Sequence, residues 1–179
     1  MPALTERMKL KYKKEDYSSV VDLADGIVAI ESDNDKALYY KALALMKSES
    51  YDEAYTAFDA MLVADPANTT ALKNKANISI KNKDYASAVS DYSALIEVEN
   101  KPTNYYNRAL SYMRLENWDE AMTDLTKVIE LDASNAEAYY NRSNVYLQLK
   151  DNDSACADMR KAGELGYKDA INYILSICG

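Results

Sequence analysis

Versions of the segment Asn117-Trp118-Asp119-Glu120-Ala121 recur along the chain and indicate its architecture. The other copies are Asp16-Tyr17-Ser18-Ser19-Val20, Ser50-Tyr51-Asp52-Glu53-Ala54, Asp84-Tyr85-Ala86-Ser87-Ala88 and Asn152-Asp153-Ser154-Ala155. The last residues of successive copies are 34, 34, 33 and 34 positions apart. A period this regular in 179 residues predicts five copies of one small structural unit.

The residues around each copy predict two helices per unit. Apolar side chains lie four, seven and ten positions past the last residue of each copy, a spacing typical of one helix face. Twelve positions before that residue the side chains are mostly small, as needed where two helices approach closely: Met8, Ala42, Ala76, Ala109 and Ser143. Asp, Asn or Ser at the start of each copy is typical of a helix N-cap. Each unit is therefore predicted to hold a helix A, a short turn and a helix B.

A 34-residue helix–turn–helix unit with this pattern resembles the tetratricopeptide repeat. The closest matches are Tyr105-Tyr106-Asn107-Arg108-Ala109, with Tyr112 and Trp118, and Tyr139-Tyr140-Asn141-Arg142-Ser143, with Tyr146. The resemblance implies an all-α fold, a right-handed α-solenoid of five repeats in a single domain, at about 1–34, 35–68, 69–101, 102–135 and 136–169. The segment 168–178 is expected to form a cap helix, because a terminal repeat leaves an apolar face without a neighbour. The stretch Ala155-Cys156-Ala157-Asp158 is similar to bacterial repeat proteins, those of Bacteroidetes in particular.

The composition excludes most catalytic and metal chemistry. Histidine is absent, which removes imidazole acid–base catalysis, His-activated nucleophiles and His-ligated metals. Two cysteines cannot form a four-thiolate zinc site. The four glycines, at positions 26, 163, 166 and 179, form no phosphate-binding loop. We therefore expect no enzymatic activity, no metal and no cofactor.

The compartment is predicted from the start of the chain and from the cysteines. No run of about 18 apolar residues predicts a membrane span, and residues 1–10 lack the apolar core of a signal peptide. These features favour a cytoplasmic location, or a periplasmic one if a signal peptide has been removed. Cys156 and Cys178 are expected on helices that pack together, so a disulfide is possible. Two buried thiols are the favoured interpretation in a reducing compartment.

The net charge of −8 hides two surfaces of opposite sign. The five predicted A helices hold 14 Lys and Arg residues and 3 acidic residues, whereas the rest of the chain holds 7 and 26. Helix A lines the concave groove in the tetratricopeptide repeat family, so the resemblance implies a basic groove and an acidic exterior. The alternative is that these charges are only solvated surface, with acidic helix B starts as a family habit. The acidic exterior makes nucleic acid and anionic membranes poor partners.

The groove is expected to bind a protein or peptide segment with acidic and apolar residues. The resemblance places the following side chains on the groove side of helix A: Tyr39, Leu43, Lys47, Lys73, Asn77, Tyr106, Asn107, Leu110, Arg114, Tyr140 and Asn144. Tyr and Leu would supply contact area, and Lys and Arg would attract carboxylates. For any single Tyr or Leu, packing between neighbouring A helices is the alternative.

Two further hypotheses come from the same residues. Some family members hold the acidic tail of chaperones in a carboxylate clamp, and Lys73, Asn77 and Asn107 match its first three positions. Glu137 and Asn141 stand where its last two cations belong, and Arg142 beside them is expected to point elsewhere, so a clamp is not favoured. The alternative function is a structural one, in which the chain associates with itself as a homo-oligomer through terminal repeats or through its opposed charged faces.

Overall fold

The computed structural model describes residues 2–170 and 178 of the chain. Within these residues the secondary structure consists of ten complete α-helices, the turns that join them and a further helical stretch at 168–170. The helices are α1 (Pro2–Lys13), α2 (Tyr17–Val28), α3 (Asp35–Lys47), α4 (Tyr51–Ala64), α5 (Thr69–Lys81), α6 (Tyr85–Val98), α7 (Pro102–Arg114), α8 (Trp118–Leu131), α9 (Ala136–Gln148) and α10 (Asn152–Glu164). The odd-numbered helices are the predicted A helices, and the even-numbered ones are the predicted B helices.

The chain divides into two compact units, Met1–Lys83 and Asp84–Gly179. The division falls between α5 and α6, inside the third predicted repeat. In the first unit α1 packs against α2, α2 against α3, α3 against α4 and α4 against α5. In the second unit the same consecutive packing runs from α6 to α10.

Each turn from helix A to helix B is built in the same way. Its central residue has a positive φ of 59° to 63°, and the five such residues in the described part are Glu15, Glu49, Lys83, Glu116 and Lys150. In four of the turns the next residue donates its N–H to a carbonyl oxygen five positions earlier, as Asn117 does to Tyr112 at 2.9 Å. This bond closes the end of helix A in a Schellman motif. The residue that donates it is also the N-cap of helix B.

Four of the five predicted N-cap positions of the B helices are confirmed, and in the fifth repeat the cap is Asp151, one residue before the predicted Asn152. The carboxylates of Asp16, Asp84 and Asp151 accept the backbone N–H three residues later. The remaining two caps, Ser50 and Asn117, make no such side-chain bond. One short polar residue thus ends one helix and begins the next, which explains why the turns have a fixed length.

The predicted apolar rows are confirmed close to the turns and wrong farther away. The side chains four and seven positions past the last residue of each copy are buried, among them Phe58, Leu95 and Val128. The row ten positions past is exposed or half-buried: Ile30, Ala64, Val98, Leu131 and Leu165. These residues lie at or beyond the last residue of helix B, where the chain leaves the packed face. The small residues of helix A, Met8 included, are fully buried, as expected.

One position of helix A carries a cation in all five repeats, and in repeats two to five this cation binds a helix B. In the first unit Lys41 Nζ lies 2.5 Å from Asp25 Oδ1 on α2, and Lys75 bonds to Asp59 on α4. In the second unit the guanidinium of Arg108 makes two bonds of 2.8 Å to Asp124 on α8.

The equivalent pair in the fifth repeat is Arg142 with Asp158 on α10, at 2.7 and 2.9 Å. Each arginine also donates to a hydroxyl on the preceding helix B: Arg108 to Ser93 at 2.9 Å, and Arg142 to Thr126 at 3.2 Å. These two cations therefore tie helix A to the B helices on both sides of it. The expectation that Arg142 points away from the groove positions is confirmed.

The C-terminal part of the second unit contains a disulfide between Cys156 and Cys178, whose Cα atoms are 5.6 Å apart. The favoured expectation of two thiols is therefore wrong in this structure, because the two residues lie within the range that a disulfide spans. Helix begins again at Lys168 and its described part reaches Ala170, which is buried. The rest of the predicted cap helix 168–178, apart from Cys178, lies outside the described residues.

Candidate functional site

The eleven groove residues predicted from the sequence all keep exposed surface on the A helices. In the first unit Lys47, Lys73 and Asn77 are exposed, and Tyr39 and Leu43 are half-buried. In the second unit Arg114 is exposed, and the other five are half-buried: Tyr106, Asn107, Leu110, Tyr140 and Asn144. The alternative of packing between helices applies to part of the surface of Tyr39, Tyr106 and Tyr140, which also contact the apolar clusters between helices. We call these exposed surfaces the A-helix face of each unit.

The A-helix face of the first unit contains a pocket of about 260 Å³ between α3, the start of α4, and α5. Its lining residues are Met46, Lys47, Tyr51, Asn77, Ile78 and Lys81. Lys47 and Asn77 are in the predicted set, which the structure thus brings together at one place. Tyr51 was missed, although an aromatic residue at the first position of helix B recurs as Tyr17, Tyr51, Tyr85 and Trp118 and could have drawn attention to it.

The charge of the pocket is set by its two lysines. Lys81 Nζ lies 4.5 Å from the centroid of the Tyr51 ring. A hydrogen bond with the Tyr51 side chain raises the pKa of Lys81, and the charge of Glu49 adds a smaller effect in the same direction. Lys81 is protonated at neutral pH and lies over the aromatic ring. Lys47 stands on the pocket wall at the same repeat position of α3, 34 residues earlier.

The A-helix face of the second unit is aromatic and amide-rich. The hydroxyl of Tyr106 accepts a 2.9 Å hydrogen bond from Asn141 Nδ2. Burial, with the charge of Glu137 as a further cause, raises the pKa of Tyr106, so its hydroxyl stays neutral. The rings of Tyr140 and Tyr167 lie 4.5 Å apart at an interplanar angle of 30°. This face offers flat contact area and hydrogen-bonding groups, with little charge.

Basic residues are divided unequally between the two faces. The predicted A-helix segments of the first unit hold 11 Lys and Arg residues, and those of the second unit hold three. Of those three, Arg108 and Arg142 are bonded to aspartates of B helices. Within the described residues of α7 and α9, Arg114 is the cation that remains exposed. The basic character expected for the whole groove is thus concentrated in Met1–Lys83.

The structure does not provide cations at the two carboxylate-clamp positions where the sequence has none. Asn141, which stands at one of them, donates to Tyr106 and to the backbone oxygen of Glu137. Glu137, at the other, is exposed and acidic. The cations that a carboxylate clamp needs at these two positions are therefore not supplied by neighbouring side chains of α9.

A second pocket, of about 490 Å³, lies in the second unit between α7 and α8. Its walls are formed by Tyr105, Arg108, Met122, Thr123, Asp124, Thr126, Lys127 and Glu130. Arg108 and Asp124 are already bonded to each other there. In the described part of the chain no group of three or more Cys, Asp or Glu side chains is arranged to hold a metal ion. Across the same residues, no helix has the length and apolar character that crossing a membrane requires.

Comparison with known proteins places these helices in a family. Two models of the tetratricopeptide repeat match residues 29–105 and 136–165, and a third, for the TPR repeat, matches residues 109–150. No curated protein matches the sequence significantly.

Solved structures give the same fold. A crystal structure of MamA is 18% identical, with a TM-score of 0.79, and the match covers 95% of this chain and 96% of that one. MamA from Desulfovibrio magneticus RS-1, residues 41 to the end, is 19% identical with a TM-score of 0.74, covering 92% and 93% of the two chains. YrrB, described as a TPR protein with an unusual peptide-binding site, is 18% identical with a TM-score of 0.78, covering 95% and 89%. These similarities confirm the all-α solenoid fold class that the sequence predicts.

Proposed function

Since this chain belongs to the tetratricopeptide repeat family, we propose that it is a non-catalytic protein-interaction module that binds a partner segment on its A-helix faces. The observation that carries the proposal is the contrast between two sets of A-helix side chains. The cations at one repeat position, such as Arg108 and Arg142, form ion pairs with aspartates of B helices. The eleven predicted residues keep accessible surface on the A helices, including those, such as Tyr106, that also contact neighbouring side chains.

The chemistry of the accessible set supports a peptide segment with acidic and apolar residues. Lys47, Lys73 and Arg114 are exposed cations that attract carboxylates. Half-buried side chains such as Leu110 and Tyr140 add apolar area, which supplies most of the affinity of such contacts. The similarity to YrrB, whose structure is described by a peptide-binding site, also favours a peptide as the bound species.

The test is capture of a partner from a lysate of the source cells, identified by mass spectrometry. Wild-type protein is compared with the Lys73→Glu/Arg114→Glu variant, which reverses one exposed charge on each A-helix face. We expect a partner that wild type retains and the variant loses. Circular dichroism of the variant checks that the helices are intact.

A matched control has the same change of charge at the turns. The Lys83→Glu/Lys150→Glu variant places Glu at two turn positions where the other three repeats already carry Glu. We expect this variant to retain the partner. A partner kept by both variants contradicts binding on the A-helix faces. Absence of any partner, together with a dimer by light scattering, would favour the alternative of self-association.

We also propose an oxidising compartment for this chain, because Cys156 and Cys178 are joined in the structure and disulfides persist mainly outside reducing compartments. The check is rapid alkylation of the protein in its source cells, followed by mass spectrometry. We expect the two cysteines to escape alkylation until a reductant is added. Immediate alkylation of both would return the chain to the reducing, cytoplasmic location that the sequence alone favours.

A further inference from the structure

We propose that the pocket between α3, α4 and α5 binds a carboxylate side chain together with an adjacent aliphatic side chain of the partner segment. This inference rests on the proposed function, because it assigns one subsite of the same A-helix face. It names what that subsite recognises: an Asp or Glu next to a residue such as Leu, Ile or Met. The pocket lies entirely in the unit Met1–Lys83.

The two cations of the pocket come from equivalent positions of successive repeats. Lys47 is the last residue of α3, and Lys81 is the last residue of α5. Both side chains are exposed and both line the pocket. A carboxylate that enters the pocket can thus meet two ammonium groups, and charge-assisted hydrogen bonds of this kind are about twice as strong as neutral ones.

The remaining walls of the pocket are apolar. Met46, which precedes Lys47, is half-buried, and Ile78 is buried beneath the opening. The flexible thioether of Met46 adapts to different aliphatic shapes. A ligand that is only charged would leave the apolar wall exposed to water. A ligand that is only apolar would leave the two lysines without an anion. The lining therefore favours an acidic and an aliphatic side chain side by side.

The size of the pocket fits side chains better than a larger molecule. Its volume of about 260 Å³ is below the roughly 300–1,000 Å³ of pockets that enclose drug-sized ligands. Tyr51 prepares the site, because its ring and hydroxyl hold Lys81 before a ligand arrives. The lining contains two cations and no acidic side chain, which favours a negative group inside the pocket. Glu49, Asp52 and Glu53 line a neighbouring pocket that shares Tyr51.

The test is NMR titration of the full chain, labelled with ¹⁵N, using acetyl-Asp-Leu-amide as the probe. We expect saturable chemical-shift changes at Lys47, Asn77 and Lys81, with a Kd on the order of 1 mM. Acetyl-Asn-Leu-amide, which has the same shape without the charge, and acetyl-Asp-Ser-amide, which lacks the aliphatic group, should each bind about tenfold more weakly.

The matching protein variant is Lys47→Gln/Lys81→Gln, which should weaken binding of acetyl-Asp-Leu-amide at least tenfold. Lys83→Gln/Lys150→Gln removes two exposed lysines elsewhere and should leave it unchanged. Shifts that map to another surface, equal binding of the three probes, or an unaffected Lys47→Gln/Lys81→Gln variant would overturn the assignment of this pocket.

The partner-capture assay separates this inference from the proposed function. A partner lost with Lys73→Glu/Arg114→Glu but fully retained with Lys47→Gln/Lys81→Gln would leave the interaction module standing and remove the subsite. A partner retained by both variants would contradict the proposed function itself. Loss with both variants supports the two proposals together.

Discussion

At the scale of single residues, the turns between helices A and B contain a backbone conformation that favours glycine. All five positive-φ residues at these turns are Glu or Lys. A residue with a Cβ atom is destabilised by roughly 1–2 kcal/mol in the left-handed region of φ and ψ, whereas glycine is not. The turns are thus formed at a cost, which the Schellman hydrogen bonds and the packing of both helices offset.

Substitution of Glu116 by glycine should therefore stabilise the second unit. We expect Glu116→Gly to raise the free energy of unfolding by about 0.5–1 kcal/mol, after allowance for the greater freedom of glycine in the unfolded chain. Urea denaturation followed by circular dichroism gives the value. Glu116→Ala is the control, since it removes the same charge and keeps Cβ. An equal gain from alanine would show that charge, and not backbone strain, is responsible.

The N-cap Asp16 makes the stability of the first unit depend on pH. Hydrogen bonds from Lys11 and Ser19 to its carboxylate lower the pKa of Asp16 from 3.8 to about 2. Because the folded pKa lies below the unfolded one, this stabilisation is present above about pH 4 and is lost as the pH falls towards 2.

Substitution of Asp16 by asparagine distinguishes the effect of the N-cap hydrogen bond from the effect of the negative charge. Asn34 and Asn68 show that Asn accepts the same backbone bond in this chain. Asp16→Asn should be less stable than wild type at pH 5 to 7, and the two proteins should converge near pH 2 in thermal unfolding. A difference that stays constant from pH 6 to pH 2 would rule out titration of Asp16 as the cause.

At the scale of helices, the ion pairs between A and B helices differ in burial. The side chains of Arg108 and Asp124 are 19% and 4% exposed, whereas those of Lys41 and Asp25 are 27% and 52% exposed. An exposed pair contributes little, because water screens it. Removal of one partner from a buried pair leaves an uncompensated charge, which is far more costly.

The two pairs should therefore respond very differently to loss of the carboxylate charge. We expect Asp124→Asn to lower the free energy of unfolding by about 3 kcal/mol and Asp25→Asn to lower it by less than about 1 kcal/mol. Guanidinium denaturation must be avoided because its salt screens both pairs, so urea is the denaturant to use. Similar losses in the two variants would contradict the role assigned to burial.

The sequence predicts the helices well and the directions of their charged side chains poorly. The 34-residue period locates helix boundaries because the turn residues and the buried rows recur with it, as Phe58 and Leu95 illustrate. A count of cations along helix A cannot show which of them reach a helix B. Lys41 and Arg108 occupy equivalent positions, yet Lys41 binds Asp25, 16 residues back, and Arg108 binds Asp124, 16 residues ahead.

The candidate site was predictable only in part for the same reason. Lys47 and Asn77 follow from the A-helix pattern, and the structure places both on the pocket wall. Tyr51 belongs to a helix B, and its contribution depends on how the turn after α3 presents it to α5. That arrangement is a property of three packed helices, and no single repeat in the sequence contains it.

At the largest scale, the disulfide links Cys156 of α10 to Cys178 near the C-terminus. It joins residues 22 positions apart, so its removal frees a loop of that length in the unfolded state. The chain-entropy relation gives about 3 kcal/mol for such a loop. We expect the Cys156→Ser/Cys178→Ser variant to lose stability of this order in urea denaturation. A variant as stable as the oxidised protein would show that the bridge does not restrict the unfolded chain.

The reverse comparison tests the same bridge without mutation. Wild-type protein in the presence of a reductant should unfold at the urea concentration of the double serine variant, because both lack the cross-link. The variant itself should be insensitive to the reductant. A shift of the variant on reduction would point to an effect unrelated to these two cysteines.

The opposite directions of the ion pairs bear on how such a chain can be rearranged by recombination. Arg108 and Arg142 find their aspartates inside their own repeats, so either repeat carries a complete pair wherever it is moved. Lys41 is bonded to an aspartate of the repeat before it. Moving the fourth or fifth repeat therefore keeps its Arg–Asp pair intact, whereas moving the second repeat without the first separates Lys41 from Asp25.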